Sequence, residues 1–141
     1  MRESKTKLRR EVAVDMMIPV LNEARVLERS VATVREFFRK KIPCSFRVVI
    51  VDNGSTDGTA ELGRSLARRY EDVDFVHLGQ AGRGRALRYA WTQSQADIVC
   101  YTDVDISTDL EALPKMINAI IRGECDIAIG SRLAKRARIR R

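Results

Sequence analysis

An α/β fold, a three-layer α/β/α sandwich on a mostly parallel sheet, is predicted by three features of this sequence. Five short apolar runs of strand length alternate with four stretches whose apolar residues recur at spacings of three and four. The strand runs are largely apolar throughout, as strands buried on both faces must be. Three polar clusters, "PVLNE", "DNGSTDGT" and "DVD", each follow a strand run directly. In open parallel sheets ligands bind beyond the carboxyl ends of the strands, so these clusters share one address despite their distance in sequence.

The first strand is expected over 12–18, "VAVDMMI". Behind it Leu27, Val31, Val34 and Phe38 fall on one helical face, with Arg25, Arg29, Arg35 and Glu36 elsewhere. The second strand, 46–52, ends in Asp52, after which Gly54 permits a tight turn and Ser55 or Asp57 can cap a helix over 58–70. That helix packs through Leu62, Leu66 and Tyr70. A third strand, 73–78, holds His77 at an interior position, where a structural role is expected. Leu87, Ala90, Trp91 and Ser94 mark a helix over 84–95, and a fourth strand spans 96–103. The last helix carries the stripe Leu110, Leu113, Ile117 and Ile120, with Asp105 or Asp109 as its cap and Gly123 as its stop. A fifth strand is expected at "CDIAIG", 125–130.

At 141 residues and 45% hydrophobic composition the chain is long enough for one core. No apolar run approaches the roughly 20 residues that cross a bilayer. The start, "MRESKTKLRREV", has basic residues without the apolar segment of a secretion signal, so a cytoplasmic location is expected. Cys44, Cys100 and Cys125 are odd in number and lack a CxxC spacing, which argues against a disulfide framework and a zinc site. The net charge of +7 is uneven. Residues 1–10 carry five basic residues against Glu3, and 132–141 carry six with no acid, which leaves the body between them net acidic. The domain is therefore expected over 12–133, between a basic arm (1–11) and a basic tail (134–141). With an acidic body and no aromatic stacking platform, nucleic-acid binding is not expected.

Familiar phosphate loops are missing. No GxxxxGK[ST] segment occurs, and the first strand-to-helix turn, "PVLNEA", has no glycine for a dinucleotide fold. "GRGRAL", 82–87, has two glycines of such a pattern but follows the third strand and reads as a loop entering a helix. Asp52 is harder to explain as loop polarity, because a carboxylate at the end of a buried strand needs a partner, and a nucleotide base or ribose would supply one. On extended backbone Asp103 and Asp105 point to the same side. Carboxylates held that close repel unless a proton or cation lies between them, and a hard ion that keeps waters and adds diphosphate oxygens, Mg2+ or Mn2+, suits them. The alternative is a solvated turn in which one aspartate caps the following helix.

"MIPVLNEARVLERSV", "VIVDNGSTDGTAEL", "GRGRALRYAW", "YTDVDISTDLEALPKMI" and "DIAIGSRL" occur in an order and spacing that resembles family 2 glycosyltransferases of the GT-A fold. The branch most similar contains dolichyl-phosphate mannose and glucose synthases. The resemblance runs from about Val14 to Leu133. It implies that Pro19, Asn22 and Glu23 border the nucleoside, Glu23 near the ribose, and that Asp52 faces the base. It implies that Asp103, Val104 and Asp105 form the metal-and-diphosphate triplet, with Asp103 and Asp105 on the metal, and that Arg132 meets the phosphates. Arg83 stands where many relatives have lysine, and Leu21 where an aromatic often stacks on the base.

The implied reaction is transfer of a hexose from a UDP- or GDP-linked sugar with inversion at the anomeric carbon, assisted by Mg2+ or Mn2+. The implied acceptor is a polyprenyl or other lipid phosphate, or a glycan. A lipid phosphate is already an anionic nucleophile, and no general base stands out. Such relatives continue beyond "GSRL", so the resemblance implies a C-terminally incomplete nucleotide-binding half. Peripheral contact with the inner membrane face and a partner chain completing the fold are further expectations. A nucleotide-sugar-binding subunit without catalysis is the alternative.

Overall fold

A computed structural model of the chain describes residues 11–80, 82–107 and 109–130. The basic arm and tail, except Glu11, and Arg132 lie outside the described residues. The chain divides into two compact units, the first ending at Ser107 and the second beginning at Thr108.

In the first unit four strands, β1 (Ala13–Val20), β2 (Ser45–Asp52), β3 (Val73–His77) and β4 (Ile98–Tyr101), form one parallel sheet in the order β3-β2-β1-β4. The chain steps outward from β1 to β2 to β3, then returns to set β4 on the other side of β1. The crevice between the carboxyl ends of β1 and β4 is therefore the switch point at which such sheets bind ligands.

Three helices, α1 (Leu27–Lys41), α2 (Thr59–Arg69) and α3 (Arg83–Gln93), connect the strands. The predicted stripe of α1, Leu27, Val31, Val34 and Phe38, is wholly buried. Helix α2 packs closely on β3: a Cβ on Gly63 would lie 2.5 Å from the Phe75 ring, so only glycine permits the approach. Residues of opposite parity on the strands, Met17, Val49 and Val51, bury the other sheet face against Ala86, Leu87 and Ala90 of α3. β1 is covered on both faces, and Met16, Met17 and Ile18 are at most 1% exposed.

One polar group inside this packing escaped the sequence reading. Asp15 on β1 is buried and accepts from Arg47 Nε at 3.2 Å, from Arg47 Nη2 at 2.9 Å and from Ser94 Oγ at 2.6 Å. Arg47 also bonds Asp74, so one guanidinium ties β1, β2 and β3 together across their amino-terminal halves.

Among the described residues of the second unit a 3-10 turn (Leu110–Ala112) is followed by α4 (Leu113–Ile121). Asp109, not Asp105, is the cap, accepting from the Glu111 N–H at 3.0 Å. Gly123 ends α4 at φ +73°, as a helix stop of this kind requires. The expected fifth strand does not form. Residues 125–130 have no ladder partner among the described residues, and Ile127 and Ile129 are 77% and 82% exposed. Alternating apolar residues become a strand only where a neighbour supplies hydrogen bonds and a face to bury against.

Replacing Asp15 by alanine leaves Arg47 and Ser94 without their shared acceptor. Because Arg47 is partly exposed, the expected loss is about 1–3 kcal/mol, read as a lower urea midpoint at unchanged slope.

Candidate functional site

The three polar clusters meet at the carboxyl edge of the sheet, and backbone geometry explains why the first two lock together. Pro19 shares the orientation of Met17, whose carbonyl accepts the last ladder bond from β4, the Thr102 N–H at 3.1 Å. Having no N–H, Pro19 cannot extend that ladder. Beyond it Asn22 adopts φ +54°, a left-handed conformation that asparagine tolerates. Its Oδ1 accepts from the N–H groups of Thr56 and Asp57 at 2.8 and 3.3 Å, and its own N–H donates to Ser55 Oγ at 2.8 Å. The Glu23 N–H donates to Thr59 Oγ1 at 2.8 Å, while the Glu23 carbonyl accepts from Leu27 N–H at 3.0 Å and so opens α1. The half-buried Glu23 carboxylate takes no hydrogen-bond or ion-pair partner among the described residues.

In the second cluster Ser55 serves Asn22, and Asp57 supports the start of α2 by accepting from Thr59 N–H at 2.9 Å. The Thr59 hydroxyl and amide hold the Asp57 carboxyl below its ordinary range. Asp52 is fully buried, and the partner required by a carboxylate there is internal. Its Oδ2 lies 2.7 Å from His77 Nδ1, and the Ser55 N–H approaches both oxygens at 3.3–3.4 Å. His77 is accordingly not interior: it is the last residue of β3, directly across from Asp52, with its side chain 42% exposed. Beside them the buried Asn53 Oδ1 has no hydrogen-bond partner among the described residues.

The third cluster departs most from expectation. β4 ends at Tyr101, and 103–106 form a turn closed by the Ile106 N–H on the Asp103 carbonyl at 3.0 Å, with Ile106 at φ +49°. Asp103 and Asp105 therefore do not project from an extended strand. Val104 is buried, and its carbonyl accepts from Ser30 Oγ of α1. This anchor fixes the turn and leaves the flanking aspartates outside. Asp103 is partly exposed, with Oδ1 3.5 Å from Arg83 Nη1, and the exposed Asp105 takes the Ser107 N–H at 3.1 Å. Among the described residues no three His, Cys, Asp or Glu side chains converge. Two hard carboxylates at a partly exposed turn, one of them beside Arg83, fit an ion that retains water or takes ligand oxygens, and fit poorly a site closed by protein alone.

Ser30 and His77 are the site residues that sequence reasoning missed or misplaced. Ser30 had a faint signal, as a polar residue three positions after Leu27 and four before Val34, on the buried face of α1. His77 is the last residue of β3, as Asp52 is of β2, and only the β2–β3 register shows that the two face each other. A depression of about 140 Å³ lined by Asp15, Arg47, Asp74, Tyr89, Gln93 and Ser94 lies toward the amino-terminal halves of the strands and contains none of these residues.

The profile described as Glycosyl transferase family 2 matches residues 15–141. The chain belongs to this family. This family 2 chain is 32% identical over 123 residues to glycosyltransferase AglD of Haloferax volcanii, covering 86% of the chain and 20% of the relative. It is 29% identical over 126 residues to the dolichol-phosphate mannosyltransferase of Pyrococcus furiosus, covering 89% of the chain and 35% of that relative. Among solved structures, the mannosyltransferase of Pyrobaculum calidifontis in complex with GDP-Man and Mn2+ superposes with a TM-score of 0.62 at 26% identity. That superposition takes in 84% of this chain and 38% of the other. The chain thus spans a fifth to two fifths of the length of these proteins, and its sheet and helices are those of the GT-A glycosyltransferase fold.

Asn22→Ala removes the hydrogen bonds that Oδ1 accepts from Thr56 and Asp57 and places alanine at a left-handed φ. It is expected to destabilise the protein by about 1–3 kcal/mol in urea unfolding.

Proposed function

We propose that this chain binds a nucleotide-diphosphate sugar at the carboxyl edge of its sheet and is the donor-binding part of an inverting hexosyltransferase. The observation that carries the reading is the Asp103–Val104–Asp105 turn. It sits where β4 ends, beside β1, at the switch point of a family 2 fold, anchored through Val104 to Ser30 and with Arg83 near Asp103.

Charge around α3 supports an anionic ligand there. The helix opens at Gly82 with no side-chain cap hydrogen bond and no acid in its first turn, which instead holds Arg83 and Arg85. Two cations at the positive end of a helix oppose its dipole, and a diphosphate beside them would relieve that conflict. Asp103 and Asp105 would hold Mg2+ or Mn2+, with water and diphosphate oxygens completing the shell. When bound, such an ion offsets charge building on the departing diphosphate. Arg83 contributes in the same sense, and so would Arg132 if it meets the phosphates. Pro19, Asn22 and Glu23 would border the nucleoside. Asn22 acts as a brace between two loops, and the Glu23 carboxylate, unpartnered among the described residues, would meet ribose hydroxyls.

The preferred acceptor is a lipid phosphate. Its anionic oxygen needs no proton removed. The named activity of the Pyrococcus furiosus relative is consistent with this choice. Such an acceptor would bring the reaction to a membrane surface, although no described helix is long and apolar enough to cross one.

Calorimetry with UDP, GDP and their sugars, with and without Mn2+, tests the reading. Asp103→Asn and Asp105→Asn are each expected to weaken metal-dependent binding by about tenfold or more, since outer-shell partners alone are worth about 10–100-fold. Unchanged affinity in both variants removes the metal site. Turnover with a polyprenyl phosphate separates a transferase from a subunit that only binds.

A further inference from the structure

His77 and Asp52 occupy a position that the diphosphate end of the site does not use. Val20, Asp52 and His77 are register partners at the ends of β1, β2 and β3, so they form one row across the carboxyl edge. Asp52 is fully buried and its oxygens are engaged by Ser55 N–H and His77 Nδ1. It cannot turn to meet a ligand without giving up these bonds inside the protein. The His77 side chain is 42% exposed, and no described residue hydrogen-bonds its second nitrogen. Next to Asp52 on the other side, the turn after β1 presents the exposed Leu21, an apolar surface on which a flat ring can rest.

We propose that His77, oriented by Asp52, reads the nucleobase of the donor through Nε2. This rests on the donor-binding reading above and deepens it. The carboxylate can only accept, so Nδ1 carries the proton and donates to Asp52, and Nε2 of the neutral ring is left as an acceptor. An acceptor there selects a base with an imino N–H on its pairing edge. Uracil has one at N3 and guanine at N1, whereas cytosine and adenine present acceptors at the corresponding atoms. Asp52 is then a positioning residue that sets the tautomer and aims the ring, and His77 is the residue that touches the ligand.

The test uses the full chain with Mn2+ in one fixed buffer. Wild type is expected to bind UDP or GDP about tenfold or more tightly than CDP and ADP, as one hydrogen bond to a mismatched acceptor warrants. His77→Asn keeps a polar atom near the Nδ1 position but places nothing at Nε2, and is expected to narrow the preference to within about threefold. His77→Gln, whose amide reaches the Nε2 position, is expected to recover part of it. Because His77 is the only histidine in the sequence, its two imidazole nitrogens give an unambiguous 15N signature in the unmutated protein. The Nε2 resonance should move on adding UDP or GDP and stay in place with ADP. Full discrimination in His77→Asn, equal wild-type binding of all four nucleotides, or an Nε2 signal unmoved by a bound nucleotide overturns the role of His77 and leaves donor binding standing. Absence of metal-dependent binding by any nucleotide overturns the donor-binding reading, and this inference with it.

Discussion

Strand β1 is hydrogen-bonded to a parallel neighbour on each side, and its ladder with β4 stops at the bond from the Thr102 N–H to the Met17 carbonyl. The rest of the site depends on that stop. Up to it the strand is apolar apart from Asp15 and packed on both faces; beyond it Pro19 can donate nothing to β4, and the chain turns polar on both sides of the gap. Asn22 leaves β1 toward the β2 loop, while Thr102 and Asp103 leave β4 toward α1 and α3. The crevice between β1 and β4 is a consequence of strand order, and its chemistry follows from which residues happen to stand where the ladder ends.

The loops around this crevice are held by bonds between clusters that are remote in sequence. Asn22 satisfies the backbone of Thr56 and Asp57, Thr59 satisfies the backbone of Glu23, and Ser30 holds the carbonyl of Val104. Helices α1 and α2 accordingly begin without a side chain at the cap position doing the usual work. Such reciprocal bracing sets the half-buried Glu23, the partly exposed Asp103 and the exposed Arg83 and Asp105 on a frame whose own polar atoms are mostly satisfied. The buried carboxylates, by contrast, are spent on the protein itself, Asp15 on the partly exposed Arg47 and Asp52 on His77.

Much of the frame was legible beforehand because it rests on local periodicity. The α1 stripe from Leu27 to Phe38, the parallel strand ending at Asp52 and the Gly123 stop all follow from spacing and residue type, whereas the fourth strand, expected over 96–103, ends already at Tyr101. Strand pairing is where that legibility ended. "CDIAIG" has the alternation of a strand and no described neighbour to pair with, and "DVD" has the spacing for two parallel carboxylates on a backbone that in fact turns.

Asp52 and His77 mark the division most clearly. The sequence by itself determined that a carboxylate would end β2 and that its burial would demand a partner, because desolvating such a group is costly whatever the fold. Which partner it found was decided only by the tertiary structure. The β2–β3 register sets His77 across from Asp52, and a shift of one residue would have turned one of the two side chains to the opposite face of the sheet. In that register Phe75 is paired with Ile50 and lies against Gly63 of α2, neighbours that no local pattern connects.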